Sequence, residues 1–354
     1  MMVKQQEYIV SFVTPAFLGD ANQNGAWRTP PFKALLRQWW RVVAAKDHDY
    51  SQERLRETEG RLFGNAWLKN NFSQSQVKLR LDNWRSGKMN AWAETPKSIS
   101  HPEIKFPVDA NLYLGYGPLT RNKDAKKTTF KDKLNAAIQA KESNALKIIC
   151  ADGSNSVIQN TLQLIHWFGT IGGRSRNGWG SLALDSDSVA FQPLGQSNPL
   201  LQAISRPLPE CLQYDWPHAL GRDDRGLLMW TTRQDYDHWQ DAMRELAKAK
   251  IAFRTALKFT NPKGQMDRRH VLAYPVTNHP VNAWGSQARL ANQLRFKVIS
   301  HGNRLLGVAY HLPCGTPGEL LRRLGTQQND FQQQQLSVWQ NVHTYLDAVM
   351  HRIA

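Results

Sequence analysis

Arg28-Thr-Pro-Pro-Phe-Lys-Ala-Leu-Leu-Arg-Gln-Trp-Trp-Arg-Val-Val43 places Phe32, Leu35, Leu36, Trp39, Trp40 and Val43 at i, i+3, i+4, i+7, i+8 and i+11, a full amphipathic stripe. The spacing predicts a helix with one face in a core. Lys33, Arg37 and Arg41 recur every four residues on the opposite ridge. Cations one turn apart, roughly 6 Å, match the spacing of successive phosphates in a single nucleic-acid strand. The ridge reads either as a backbone clamp or as an ordinary solvated helix face.

Outward from this helix, Tyr8-Ile-Val-Ser-Phe-Val13 reads as a strand ended by Thr14-Pro15, and a Gly/Asn-rich loop from Gly19 to Gly25 follows it. Downstream, 77–81 and 109–116 read as strands, 121–133 as a polar, Lys-rich excursion, and 146–151 as a short buried strand. Val157, Leu162, Leu164, Ile165 and Phe168 mark a second helix, and 179–184 a closing strand. Strand, helix, strands, helix, strand is the order a ferredoxin-like (RRM-like) domain requires, with two helices on one face of an antiparallel sheet.

The turn-rich, uncharged stretch Gln192-Pro-Leu-Gly-Gln-Ser-Asn-Pro199 reads as a boundary, dividing the chain into 1–195 and 196–354. At roughly 150 residues per domain, 354 residues agree with two. Beyond the boundary come a strand at 227–232, a long helix at 236–257, a hairpin of 294–299 with 305–311 through Ser300-His-Gly-Asn303, and a final helix at 331–353. The short glutamine tract 332–335 reads as a helix start. No internal sequence repeat links the halves. The expected fold class is α+β, two ferredoxin-like domains with antiparallel sheets packed in tandem.

Forty-five Lys and Arg against 29 Asp and Glu give a formal charge of +16, which points to a polyanionic partner. A hydrophobic content of 41% with 13 Trp describes a folded globule and not a basic tail. There is neither a run of about 18 apolar residues nor a secretory leader pattern, so no membrane is expected and the cytoplasm is the simplest location. Cys150, Cys211 and Cys314 are widely spaced and odd in number, and the 11 His lack metal-ligand spacing, so neither a disulfide framework nor a metal or other cofactor is expected.

His166-Trp-Phe-Gly-Thr-Ile-Gly-Gly-Arg-Ser-Arg-Asn-Gly-Trp-Gly-Ser181 is the second stretch that carries chemistry. Its five glycines, Gly172 and Gly173 among them, permit positive φ and close backbone approach, while Arg174 and Arg176 offer forked donors to phosphate. Phosphate loops of nucleotide enzymes run from strand to helix; here a helix enters and a strand leaves, and the Lys-Ser/Thr ending is missing. A cradle for an irregular RNA backbone fits the pattern, with Trp179 placed to stack on a base. A tight turn with solvated arginines is the plainer alternative. A third segment, Arg289-Leu-Ala-Asn-Gln-Leu-Arg-Phe-Lys-Val298, is expected to enter a strand with Arg289, Arg295 and Lys297 exposed.

Together, 28–41, Glu59-Gly-Arg-Leu-Phe-Gly64 behind it, Tyr113-Leu-Gly-Tyr-Gly117, the glycine-rich loop from Gly169 to Gly180 and Arg289-Leu-Ala-Asn-Gln-Leu294 resemble the RAMP superfamily of CRISPR proteins, and within it the first subunits of Cmr (type III-B) effector complexes. A subunit of a related type III system fits the same strings. The resemblance implies two ferredoxin-like domains in one subunit that binds crRNA towards its 3′ end and helps to capture target RNA, alongside other CRISPR effector subunits. It also implies that Lys33, Arg37 and Arg41 face RNA phosphates and that Arg174 and Arg176 lie against the guide; with Arg28, Gly172, Gly173, Trp179 and Arg289 these are the expected RNA-binding residues.

Two other function classes stay open on the sequence. One is a metal-independent endoribonuclease, which needs a base near the 2′-OH and a cation for the scissile phosphate; His166 and Asp20 are its candidate catalytic residues. The other is an assembly subunit whose basic surface meets protein.

Overall fold

Two four-stranded antiparallel sheets organise the structure, a computed structural model that describes residues 3–66, 72–122, 124, 126–131, 134, 136–195 and 197–353. The first sheet contains β1 (Val3–Phe12), β2 (Lys78–Leu81), β3 (Ser143–Ala151) and β4 (Leu182–Asp185), in the order β4-β1-β3-β2. In β1 the alternating side chains Tyr8, Val10 and Phe12 are buried, the period-two pattern of a sheet covered on one face. Tyr8 lies opposite Leu146 of β3, and Val10 opposite Leu184 of β4.

Helix α1 (Thr29–Ala44) crosses from β1 to β2, α2 (Gln52–Phe63) follows it, and α3 (Asn155–Phe168) crosses from β3 to β4. The apolar stripe of α1 is buried as its spacing predicts, with Val42 taking the buried place expected of Val43. Phe32, Leu35 and Leu36 meet Leu162 and Ile165 of α3 over Leu146, Ile148, Leu182 and Leu184 of the sheet. The Trp39 ring stacks on Phe168, centroids 5.5 Å apart.

The second sheet contains β5 (Met229–Thr231), β6 (Leu294–His301), β7 (Arg304–His311) and β8 (His351–Arg352), ordered β6-β7-β5-β8. Helix α4 (Trp239–Ala256) connects β5 to the segment before β6, and α5 (Gln328–Val349) leads into β8. Counted within its own half, each sheet reads 4-1-3-2. The β6–β7 hairpin turns at Gly302 and Asn303, with His301 opposite Arg304 and Gly302 at φ 58°, in the position foreseen for it.

Some expectations change. Residues 109–116, read as a strand, form a short helix, Ala110–Gly115, because the Asp109 carboxylate caps it by accepting from the Asn111 backbone N–H at 3.1 Å. The buried positions 110, 111, 114 and 115 follow a helical period. The final helix begins at Gln328 and ends at Val349, and the chain then returns to the sheet, Arg352 opposite Trp230 of β5. Residues 119–121 and 128–130 pair as a small hairpin; Lys123, Ala125, Asp132 and Lys133 of the expected excursion lie outside the described residues.

Arg295 and Lys297, expected in solvent, are buried at 5% and 0% exposure, because β6 lies where the two halves meet. The Phe296 N–H donates to the Arg176 carbonyl at 3.0 Å, Val298 N–H to Ser181 Oγ at 2.9 Å, and Tyr310 OH to the Phe168 carbonyl at 2.9 Å. Both hydrophobic cores draw on both sides of residue 195. One joins Phe17, Trp92 and Trp179 to Trp239, Met243 and Phe296; the other joins Phe12, Trp39 and Phe168 to Met229, Tyr310 and Leu312.

Candidate nucleic-acid interface

The glycine-rich segment is the hinge of this contact. It leaves α3 at Gly169, whose N–H donates to the Ile165 carbonyl at 2.7 Å, and folds back over the exit of β1. Gly173 N–H donates to the Phe17 carbonyl at 2.8 Å, and Thr14 Oγ1 both donates to the Gly178 carbonyl and accepts from Ser181 N–H. Gly172 sits at φ 96° with Phe17 O only 2.8 Å from where a Cβ would lie, so a side chain there has neither the backbone angle nor the room. Arg174 adopts φ 57°.

Trp179 does not meet a base. It is fully buried, 5.0 Å from the Phe17 ring, 5.6 Å from Trp92 and 5.5 Å from Trp239, and it supports the loop from below. The sequence-based stacking role is therefore corrected: the aromatic contributes burial to the core that both halves share.

Above the loop opens a cleft of about 1140 Å³ between the halves. Arg174 and Arg176 line it from the loop, Lys250 and Arg254 from α4, and Arg269, Arg289 and Arg295 from the second half. Against these seven cations Asp109 is the one acidic residue in the lining among the described residues, and its oxygens already accept from the Lys97 and Asn111 N–H groups and the Thr128 hydroxyl. Arg269 is paired with Glu103, Nη2 to Oε1 at 2.5 Å. Among the described residues no carboxylate lies within ion-pair distance of Arg174, Arg176, Lys250, Arg254 or Arg295.

Two of these unpaired cations are buried. Lys250 lies on the apolar face of α4 with Ala242, Met243, Leu246 and Phe253, and is 8% exposed. Its Nζ donates to Asn177 Oδ1 at 2.7 Å. Burial, with the like charges of Arg254 and Arg174, pulls its pKa down to about 7. Among the described residues Arg295 Nε finds no hydrogen-bond partner. Burial and then the Arg295 charge hold Arg176 below the ordinary arginine value. At the rim the Tyr116 side chain is 66% exposed and also faces the cleft.

The α1 ridge is differently disposed. Arg37 Nε donates to Glu59 Oε1 at 2.5 Å, and Arg41 donates to both Glu59 oxygens at 2.7 Å. Burial works to raise the Glu59 carboxyl, and the hydrogen bonds and charges of Arg41 and Arg37 outweigh it and hold the group below the usual carboxylate range. Lys33 Nζ donates to Ser75 Oγ at 2.9 Å, its pKa lowered by burial and by Arg37. The three cations do share one ridge, and Gln38 of the same helix borders the cleft. Two of them, however, are shared out on one buried carboxylate.

Arg28 donates to the Gly19 carbonyl at 2.6 Å, bracing the first loop, and Asp20 Oδ1 accepts from the Asn22 and Asn24 N–H groups within that loop. His166 stacks on Phe191 at 4.7 Å with Nδ1 3.0 Å from the Leu184 carbonyl; burial and the nearby Lys297 bring its pKa to about 4. Neither Asp20 nor His166 lines the cleft. Arg289 does, donating to the Ser286 and Ala288 carbonyls of its own segment.

Lys250, Arg254, Arg269 and Tyr116 escaped the sequence reading. They come from three separate segments, and no local spacing announces that the fold gathers them. Lys250 alone left a sign, as a lysine on an apolar helical stripe.

Among the described residues no group of three or more His, Cys, Asp or Glu is arranged to hold a metal, and no helix is long and apolar enough to cross a membrane. The family model of the RAMP superfamily matches residues 10–183. No curated protein matches the chain. Among solved structures it is similar to apo Cmr1 from Pyrococcus furiosus, at 14% identity and TM-score 0.46 over 92% of this chain and 97% of the other. It is also similar to a chain of the type III-B Cmr-beta complex bound to cognate target RNA, at 13% identity and TM-score 0.48 over 93% and 100%. A chain of a type IV-B CRISPR complex aligns at 13% identity and TM-score 0.31, over 58% of this chain and 95% of its own length.

Proposed function

We propose that this chain, whose residues 10–183 match the family model of the RAMP superfamily, is an RNA-binding subunit of a type III CRISPR effector ribonucleoprotein, holding crRNA towards its 3′ end and helping to capture target RNA. One observation carries the reading: among the described residues, a cleft walled by both halves and floored by the glycine-rich loop presents seven cations, Arg269 alone of them ion-paired, against one engaged carboxylate. Such a groove follows a phosphate backbone without reading its sequence, and specificity then comes from guide–target pairing.

The chain is read as two ferredoxin-like units, 1–195 and 196–354, a division supported by the 4-1-3-2 strand order that both sheets share. The cleft lies where the units meet, so each contributes cations that neither holds alone. Its partners on this reading are crRNA, target RNA and the other effector subunits, in the cytoplasm. No catalytic base is assigned, since Asp20 and His166 are each engaged by backbone groups away from the cleft.

The test is binding and integrity of a labelled single-stranded RNA, with the same sequence as DNA for comparison, across a salt series. The reading predicts intact RNA whose log affinity falls linearly with log salt, with a slope of about −0.7 per phosphate contacted. RNA cut at a rate that His166→Ala or Asp20→Ala abolishes would replace it with the endoribonuclease reading.

A further inference from the structure

Lys250 presents a problem that its own surroundings do not solve. A lysine carries three donors, and among the described residues Asn177 Oδ1 is its one hydrogen-bond acceptor. The charged and titratable groups facing it are Arg254, one turn further along α4, Arg174 on the loop, and Tyr113 on the short helix, whose ring centroid lies 6.0 Å from Nζ. None of them is an anion at neutral pH. A buried cation beside two others costs free energy unless a counter-charge arrives from outside the chain.

The surroundings shape where that counter-charge goes. Lys250, Arg254 and Arg174 all line the cleft, near enough for the charges of Arg254 and Arg174 to act on Lys250, and the backbone of the loop that carries Arg174 is pinned to β1 and to β6. We propose that Lys250, Arg254 and Arg174 form a dedicated subsite for one phosphate group of the bound RNA, filled with uptake of a proton. This rests on the RNA-binding reading and adds to it which phosphate-binding groups act together and how pH controls them.

The proton follows from linkage. With its pKa near 7, Lys250 is partly neutral at physiological pH. A phosphate favours the ammonium form, so binding strengthens as pH falls and weakens as pH rises above about 7. The group that fills the subsite is either an internal phosphodiester or a terminal phosphate; both offer the same oxygens.

The experiment measures, by fluorescence anisotropy at fixed ionic strength from pH 6 to 9, the affinity of the full chain for a 12-nucleotide RNA ending in 3′-hydroxyl or 3′-phosphate. For the wild type, affinity is expected to be level below about pH 7 and then to fall by up to tenfold per pH unit. Lys250→Met is expected to lose roughly ten- to a hundredfold at pH 6.5 and to flatten the profile. Arg254→Gln, which leaves the Asn177 contact untouched, weakens binding and moves the onset of the fall to higher pH by removing a like charge.

Equal affinity for the two RNAs identifies an internal phosphodiester, and a gain for 3′-phosphate that Lys250→Met removes identifies a chain end; either supports the subsite. Should Lys250→Met fail to fold, the wild-type profile and Arg254→Gln decide. RNA binding with a flat wild-type profile, or a folded Lys250→Met that binds as the wild type does, overturns the subsite and leaves the RNA-binding reading standing. No RNA binding at any pH or salt overturns both.

Discussion

The backbone N–H of Phe296 donates to the carbonyl of Arg176 at 3.0 Å, so a strand of the second half is hydrogen-bonded to the glycine-rich loop of the first. The loop is therefore held by both halves at once, by Thr14 and Phe17 on one side and by β6 on the other. Arg174 and Arg176 owe their position over the cleft to that double attachment, and the glycines make it possible.

Gly180 tests the attachment. It sits at φ 63°, and a Cβ there would lie 1.9 Å from the Ile171 carbonyl oxygen. Gly180→Ala is expected to destabilise the fold by about 3 kcal/mol. Gly153→Ala, where nothing lies within 4 Å, is expected to stay within about 0.5 kcal/mol. Urea unfolding of the two variants checks the difference.

The two aromatic residues at the loop and rim should separate cleanly. Trp179→Phe is expected to lower stability and leave RNA affinity of the folded protein unchanged, because the ring is wholly inside the core. Tyr116→Ala is expected to leave the melting temperature unchanged and to weaken RNA binding by roughly five- to a hundredfold if one base stacks on it, since such stacking is worth about 1–3 kcal/mol. Thermal melts beside RNA titrations measure both.

Glu59 makes a prediction in acid. Its folded carboxyl is held below the usual range, so its pairing with Arg37 and Arg41 stabilises the protein above about pH 4.5 and is lost as pH falls through the folded value. The arginines are 34% and 44% exposed, and solvent screens their share. Glu59→Gln is expected to cost about 1–3 kcal/mol at pH 7 and to flatten the acid limb of the stability–pH curve.

How much of this was written in the sequence depends on distance along the chain. The α1 stripe, the β6–β7 turn and the loop glycines were legible because helix period, turn chemistry and positive φ are local properties. Residues 109–116 misled because alternating Leu112 and Leu114 imitate a strand, while the deciding feature is a cap from Asp109. Arg295 and Lys297 misled for a tertiary reason. A charged residue in a strand is ordinarily read as solvent-facing, yet Lys297 Nζ is buried and donates to the Ile165 and His166 carbonyls at the end of α3. The same holds for the ridge: Lys33, Arg37 and Arg41 align as the spacing says, but nothing local shows that Glu59 returns from α2 to meet two of them.

The central claim is that RNA lies in the cleft between the halves, and the most direct measurement is the salt dependence of single-stranded RNA affinity for the wild type, Arg176→Ala with Arg254→Ala, and Arg37→Ala with Arg41→Ala. The cleft pair is predicted to lose affinity and to reduce the slope of log affinity against log salt by about 0.7 for each phosphate contact removed. The ridge pair, already engaged by Glu59, is predicted to change the slope far less. A cleft double variant with wild-type affinity and slope, beside a ridge variant that loses both, would contradict the account and place the RNA on α1.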